Sequence, residues 1–183
     1  ILFEKANIII GDIQFMKFKN KLPKVLLGIY IILISWIILF KMQFNFNYLP
    51  YIRSINLIPF GESVIINGKI YFGEIINNLI VFIPVGLYIG MIWKDKNFIK
   101  KVIPILSLTL IYETLQYILH IGATDITDII MNTLGGVIGI LIINCLYKIF
   151  KNSEKVDKVL NILATICTLG VIFLIISLIV CNL

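Results

Sequence analysis

The sequence predicts an all-α membrane protein: a polytopic bundle of about five transmembrane helices, with the N-terminus inside and the C-terminus outside. Three observations predict it: the composition, five long apolar runs, and a lopsided distribution of lysine. Of 183 residues, 60% are hydrophobic and only 14% are charged, and the mean hydropathy is +1.01. A soluble domain of this size cannot cover so much apolar surface with so few charges, so lipid solvates most of it. The long runs lack strand alternation, so their backbone hydrogen bonds close within helices rather than around a barrel.

The spans fall near Leu22–Phe40, Ile75–Trp93, Val102–Leu119, Ile126–Tyr147 and Val159–Cys181. Each is long enough for a hydrocarbon core of roughly 30 Å. Lysines precede the first span as in a signal peptide, but Lys41-Met42-Gln43-Phe44 follows it with no small-residue cleavage site. A retained anchor is therefore expected. This divides the chain into a cytoplasmic segment over residues 1–21, a four-helix membrane domain over 22–147, and a cytoplasmic loop plus fifth helix over 148–183.

The sixteen Lys and Arg give the orientation. Lys5, Lys17, Lys19, Lys21 and Lys24 precede span one. Lys94, Lys96, Lys100 and Lys101 follow span two, and Lys148, Lys151, Lys155 and Lys158 follow span four. Only Lys41, Arg53 and Lys69 fall on the other side. The positive-inside rule places the thirteen in the cytoplasm of a multi-pass protein of the cell membrane. The net charge of +6 thus marks topology, and no nucleic-acid partner is expected. The segment between spans one and two carries Phe44, Phe46, Tyr48, Tyr51, Phe60, Tyr71 and Phe72 with Pro50 and Pro59, which suits the membrane interface.

Polar residues inside the spans fall in register. Asp125, Asp128, Asn132, Gly135 and Gly139 are spaced three, four, three and four apart, so they share one helix face. Gly135 and Gly139 make a GxxxG step that lets a neighbouring helix approach closely. Span three repeats the pattern with Thr109, Glu113, Gln116 and His120. Span two brings Glu74, Asn77 and Asn78, then Pro84, Gly86 and Gly90. Pro84 removes a backbone donor and is expected to kink the helix near Ile80.

With spans two and four entering from outside and span three leaving there, these polar sets meet in the outer half of the bilayer. An acidic residue near a helix centre costs about 2.5–3.5 kcal/mol to insert. Glu113 and Asp128 are therefore expected to face the bundle, partnered among Gln116, Asn78 and Asn132. Such groups can serve as interhelical glue. The functional reading is an outward-open polar pocket in which Glu74, Glu113, Asp125 and Asp128 converge with hardly a cation nearby. Crowded carboxylates of this kind leave a proton donor or a cation site. The one histidine, His120, reads as an interfacial residue at a helix end. Cys145, Cys167 and Cys181 read as lipid-facing or packing residues. No metal-ligand spacing, glycine-rich phosphate loop or triad pattern is present, so neither metal nor cofactor is predicted.

Several motifs recur in a recognisable order. Asn56-Leu57-Ile58-Pro59-Phe60 is followed by Asn78-Leu79-Ile80-Val81-Phe82-Ile83-Pro84-Val85-Gly86, then by Glu113-x-x-Gln116. The stretch from Asp125 to Gly136, with Asp125-x-x-Asp128, Asn132 and Gly135-Gly136, comes last, and Gly139 follows it. Together they resemble the VanZ-like family of bacterial membrane proteins over roughly Leu26 to Tyr147. Many members carry an arginine shortly before the Asp-x-x-Asp motif, where this chain has Gly122-Ala123-Thr124. The resemblance implies a small helical membrane protein tied to reduced susceptibility to the glycopeptide antibiotic teicoplanin. The abundance of Ile, Lys and Asn suggests an AT-rich, Gram-positive genome.

Three functions follow as alternatives. The first is a resistance or cell-envelope protein that binds membrane lipid, a lipid-linked cell-wall intermediate or the glycopeptide itself in the outer leaflet. The second is an intramembrane enzyme acting on a lipid head group, with Glu113 or Asp128 as general acid or base. The third is a module that packs against another membrane protein. A transporter is disfavoured, because the cytoplasmic halves lack polar residues to complete a path.

Overall fold

The computed structural model describes residues 2–40, 52–60, 65–66, 69–70 and 72–181. Five helices dominate: α1 (Leu2–Phe40), α2 (Gly73–Ile92), α3 (Phe98–Leu119), α4 (Ile126–Phe150) and α5 (Ser153–Cys181). Each contains a stretch long and apolar enough to cross a membrane: Lys21–Phe40, Gly73–Ile92, Phe98–Leu119, Ile126–Phe150 and Ser153–Ser177. The chain is a helical membrane protein with five spans. Between α4 and α5 only Lys151 and Asn152 intervene, so the lysines on either side of that turn sit on helix ends rather than in an open loop.

Short strands interrupt the helices. β1 (Ile52–Asn56) pairs in parallel with β4 (Ile121–Asp125), while β2 (Ile65–Ile66) and β3 (Lys69–Ile70) form an antiparallel pair. The parallel pair needs a crossover, which α2 and α3 supply. The aromatic residues Phe44, Phe46, Tyr48, Tyr51 and Tyr71 lie outside the described residues.

Helices α2 and α4 run parallel and nearly touch. A Cβ on Gly135 would fall on the carbonyl of Leu79, one on Gly139 on the carbonyl of Ile83, and one on Gly86 on that of Gly136. Partners advance together along both helices, so both begin at the same end of the bundle. Backbones this close allow no side chain between them, which is the physical reason for glycine at these positions. Gly136 also leaves room for the side chain of Ile105 on α3.

The core forms where α1, α2, α3 and α4 meet, around Ile34, Phe82, Val85, Ile105, Tyr112 and Ile140. Phe82 and Tyr112 pack edge to face, with ring centroids 6.3 Å apart. Polar side chains tie α1 into the bundle. The Tyr30 hydroxyl donates to the Val81 carbonyl at 2.8 Å, Ser35 Oγ and the Tyr112 hydroxyl are 2.9 Å apart, and Gln116 Nε2 donates to Ile38 O at 3.2 Å. Helix α2 runs unbroken through Pro84, which leaves the Ile80 carbonyl without its usual donor. The carbonyl that Tyr30 engages is the next one along.

Among the described residues, helix α5 packs chiefly through its first turns. Val156, Leu160 and Ala164 meet Leu26, Tyr88, Met91 and Ile143, while Leu163, Ile166, Leu169, Phe173 and Ile176 are exposed. Asp157 near its start bonds Lys94 and the Tyr147 hydroxyl, and Lys94 Nζ lies 4.9 Å from the centre of the Tyr147 ring. Cys145 and Cys167 are free and exposed. The side chain of Cys181 lies outside the described residues.

Candidate functional site

The site is built where α3 stops and α4 starts. His120 closes α3 in the left-handed conformation (φ 58°), its N–H bonded to the Gln116 carbonyl. The next five residues extend as β4 against β1, in the register Ile52 to Ile121 through Asn56 to Asp125. The ladder thus delivers Asn56 and Asp125 side by side at its end.

Asp125 then holds three things together. Its Oδ1 accepts the Thr127 N–H at 2.7 Å, which caps α4. Its Oδ2 accepts from Asn56 Nδ2 at 3.1 Å. Its own backbone N–H donates to Glu113 Oε2 at 2.9 Å. Glu113 is 3% exposed, and its carbonyl also takes the Thr124 hydroxyl at 3.1 Å. A buried carboxylate that receives a backbone N–H meets part of its hydrogen-bonding demand.

The motif beginning at Asn56 folds back onto the same cap. Asn56 Oδ1 accepts the Ile58 N–H at 3.0 Å, the two-residue step of an Asx turn. Pro59 restricts the residue before it to extended geometry, and Phe60 follows at φ 61°. A left-handed phenylalanine costs about 1–2 kcal/mol. The Phe60 N–H is held by Thr127 Oγ1 at 3.0 Å, which helps to fix that conformation. The turn leaves Leu57, Ile58 and Phe60 exposed, an apolar rim beside the carboxylates.

One turn into α4, Asp128 Oδ1 accepts from Asn78 Nδ2 at 2.6 Å. Both residues are half-buried, unlike Glu113. Deeper still, Asn132 Nδ2 donates to Thr109 Oγ1 at 3.0 Å, linking α4 to α3. The oxygens Asn132 Oδ1 and Gln116 Oε1 are buried with no hydrogen-bond partner among the described residues.

Glu113, Asp125 and Asp128, with Asn56 and Asn78, therefore occupy one end of the bundle, and Glu113 lies within electrostatic reach of both aspartates. Glu74 stands apart, exposed on the first turn of α2. Pro59 is exposed in the turn, while Pro84, Gly86, Gly135, Gly136 and Gly139 serve the helix contacts described above. Sequence spacing missed two features. Asn56 enters the group through a strand pairing across more than sixty residues, and Arg53 lies opposite Gly122 in the same ladder. Among the described residues, no three His, Cys, Asp or Glu side chains are placed to hold a metal ion.

A family model described as VanZ/LLP1 matches residues 27–148, which contain α2, α3, all but the last two residues of α4 and the whole site. The chain is also 41% identical to "Protein VanZ" of Enterococcus faecium over 143 residues, covering 76% of this chain and 83% of that relative. No solved structure matches. The match spans most of both chains and encloses every residue of the polar site: the chain belongs to the VanZ/LLP1 family of membrane proteins.

Proposed function

We propose that this protein works in the cytoplasmic membrane of a Gram-positive bacterium and lowers susceptibility to teicoplanin-type glycopeptides. Its working site is the polar end of the bundle, turned outward. The likeness to Protein VanZ over most of both chains carries the antibiotic side of this reading. The lysine census supports the outward orientation, because the acidic end is the end away from the thirteen basic residues.

Within the site the residues divide by bonding. Glu113 and Asp125 are committed to the ladder and the α4 cap, so they are positioning groups. Asn78 and Asp128 are a polar pair at intermediate burial, and the exposed turn of Leu57, Ile58 and Phe60 is tied through the Phe60 N–H to Thr127, the residue before Asp128. A polar pair next to an apolar rim suits an amphiphile held at the outer leaflet, either the glycopeptide or a lipid-linked wall intermediate.

The test compares a strain lacking the gene with one expressing the wild-type chain across wall-targeting antibiotics. A lower inhibitory concentration of teicoplanin in the strain lacking the gene, restored by the wild-type gene, is the expected result. Identical susceptibility of the two strains at normal protein levels contradicts the proposal.

A further inference from the structure

We infer that the protein carries a second site, at the end of the bundle opposite the carboxylates, that holds an anionic phospholipid. A groove of about 860 Å³ opens between α1, α2 and α3. Its lining is mostly apolar, with residues such as Ile31, Val85, Ile89 and Leu108, and includes Pro104 and Ser107. At its mouth stand three lysines from three different segments, Lys24, Lys96 and Lys100, with Trp93 beside them.

These lysines are exposed. Two neighbouring basic residues are engaged elsewhere, Lys94 with Asp157 and the buried Lys101 with the Lys94 carbonyl at 3.2 Å. The first turn of α3 is also at this mouth, and its positive dipole end adds to the field. Its Lys100 N–H is already taken by Asn97 Oδ1 at 3.0 Å, and the exposed lysine side chains are placed to meet an anion. An apolar groove lined by cations and an interfacial tryptophan complements one ligand chemistry: a phosphate head group on a hydrocarbon tail. Zwitterionic lipid fits the slot but not the rim.

Lipid competition at Trp93 tests the assignment. The full chain carrying Trp36→Phe, which leaves Trp93 as the only tryptophan, is reconstituted with brominated phosphatidylglycerol or brominated phosphatidylcholine. Quenching then gives their relative binding. Phosphatidylglycerol is expected to win by about threefold or more, and added salt should narrow the gap. Combined Lys24→Gln, Lys96→Gln and Lys100→Gln should bring the ratio close to one. Ser107→Phe should reduce it by filling the slot with the lysines retained. Lys148→Gln with Lys151→Gln, at the same end but off the groove, should leave it unchanged. Equal quenching by both lipids in the parent protein overturns the inference. So does a ratio insensitive to the three groove lysines, or one equally lowered by the α4 pair, which would mark general surface charge.

Discussion

The carboxylate of Glu113, deep in α3, accepts the backbone N–H of Asp125 at the last residue of β4. That single bond fixes the chain where it turns from strand into helix, and Asp125 in turn caps α4 and holds Asn56. Glu113→Ala should leave a buried N–H unpaired and cost about 1–3 kcal/mol. Glu113→Gln keeps an acceptor and should cost clearly less. Thermal unfolding of the purified proteins in detergent reads the difference. Equal loss from both variants would mean that the charge, not the acceptor, matters at this position.

The Asn56–Asp125 bond joins two motifs that are distant in sequence. A double-mutant cycle with Asn56→Ala and Asp125→Ala should return a coupling of about 0.5–3 kcal/mol, as residues sharing a hydrogen-bond network do. Additive effects on unfolding would show that the two side chains act independently.

Glycine at 135 and 139 is required by the approach of α2. Gly135→Ala or Gly139→Ala should force the helices apart and lower the melting temperature sharply or abolish folding. At Gly28 and Gly170 a Cβ meets nothing within 4 Å. Alanine there should be neutral or slightly stabilising, because glycine costs about 1 kcal/mol relative to alanine inside a helix. Monodispersity and melting temperature distinguish the two classes.

These contacts show which parts of the structure are visible in sequence. The five spans are local events, set by unbroken apolar length, and the bounds differ from expectation mainly at helix ends. Gly135 and Gly139 are legible because period four on a helix survives without knowledge of the partner. The β1–β4 ladder is not legible: five-residue strands pair across two intervening helices, and nothing near Ile52 or Ile121 signals the other. Helix spacing also makes Asp125 look like the first residue of a helical stripe. It is instead extended (φ −119°) and acts as the cap, since its backbone belongs to the strand. Glu74 and Asn78 lie one turn apart on α2, yet only Asn78 reaches Asp128.

Reporter fusions test the orientation. Fusions after Lys96 and Lys155 should report the cytoplasm, and fusions after Ile121 and Leu183 the outside. An outside signal at Lys155 would put the carboxylates on the cytoplasmic side and remove the basis for contact with an extracellular antibiotic.

Asp128 is the carboxylate on which the functional reading turns, since it is half-buried, paired with Asn78 and placed beside the apolar turn. The decisive measurement is the teicoplanin inhibitory concentration of strains carrying wild-type or Asp128→Asn protein at matched membrane abundance. Loss of protection in the Asp128→Asn strain, down to the level of the deletion, is the predicted result. Protection equal to wild type would contradict a working role for this site.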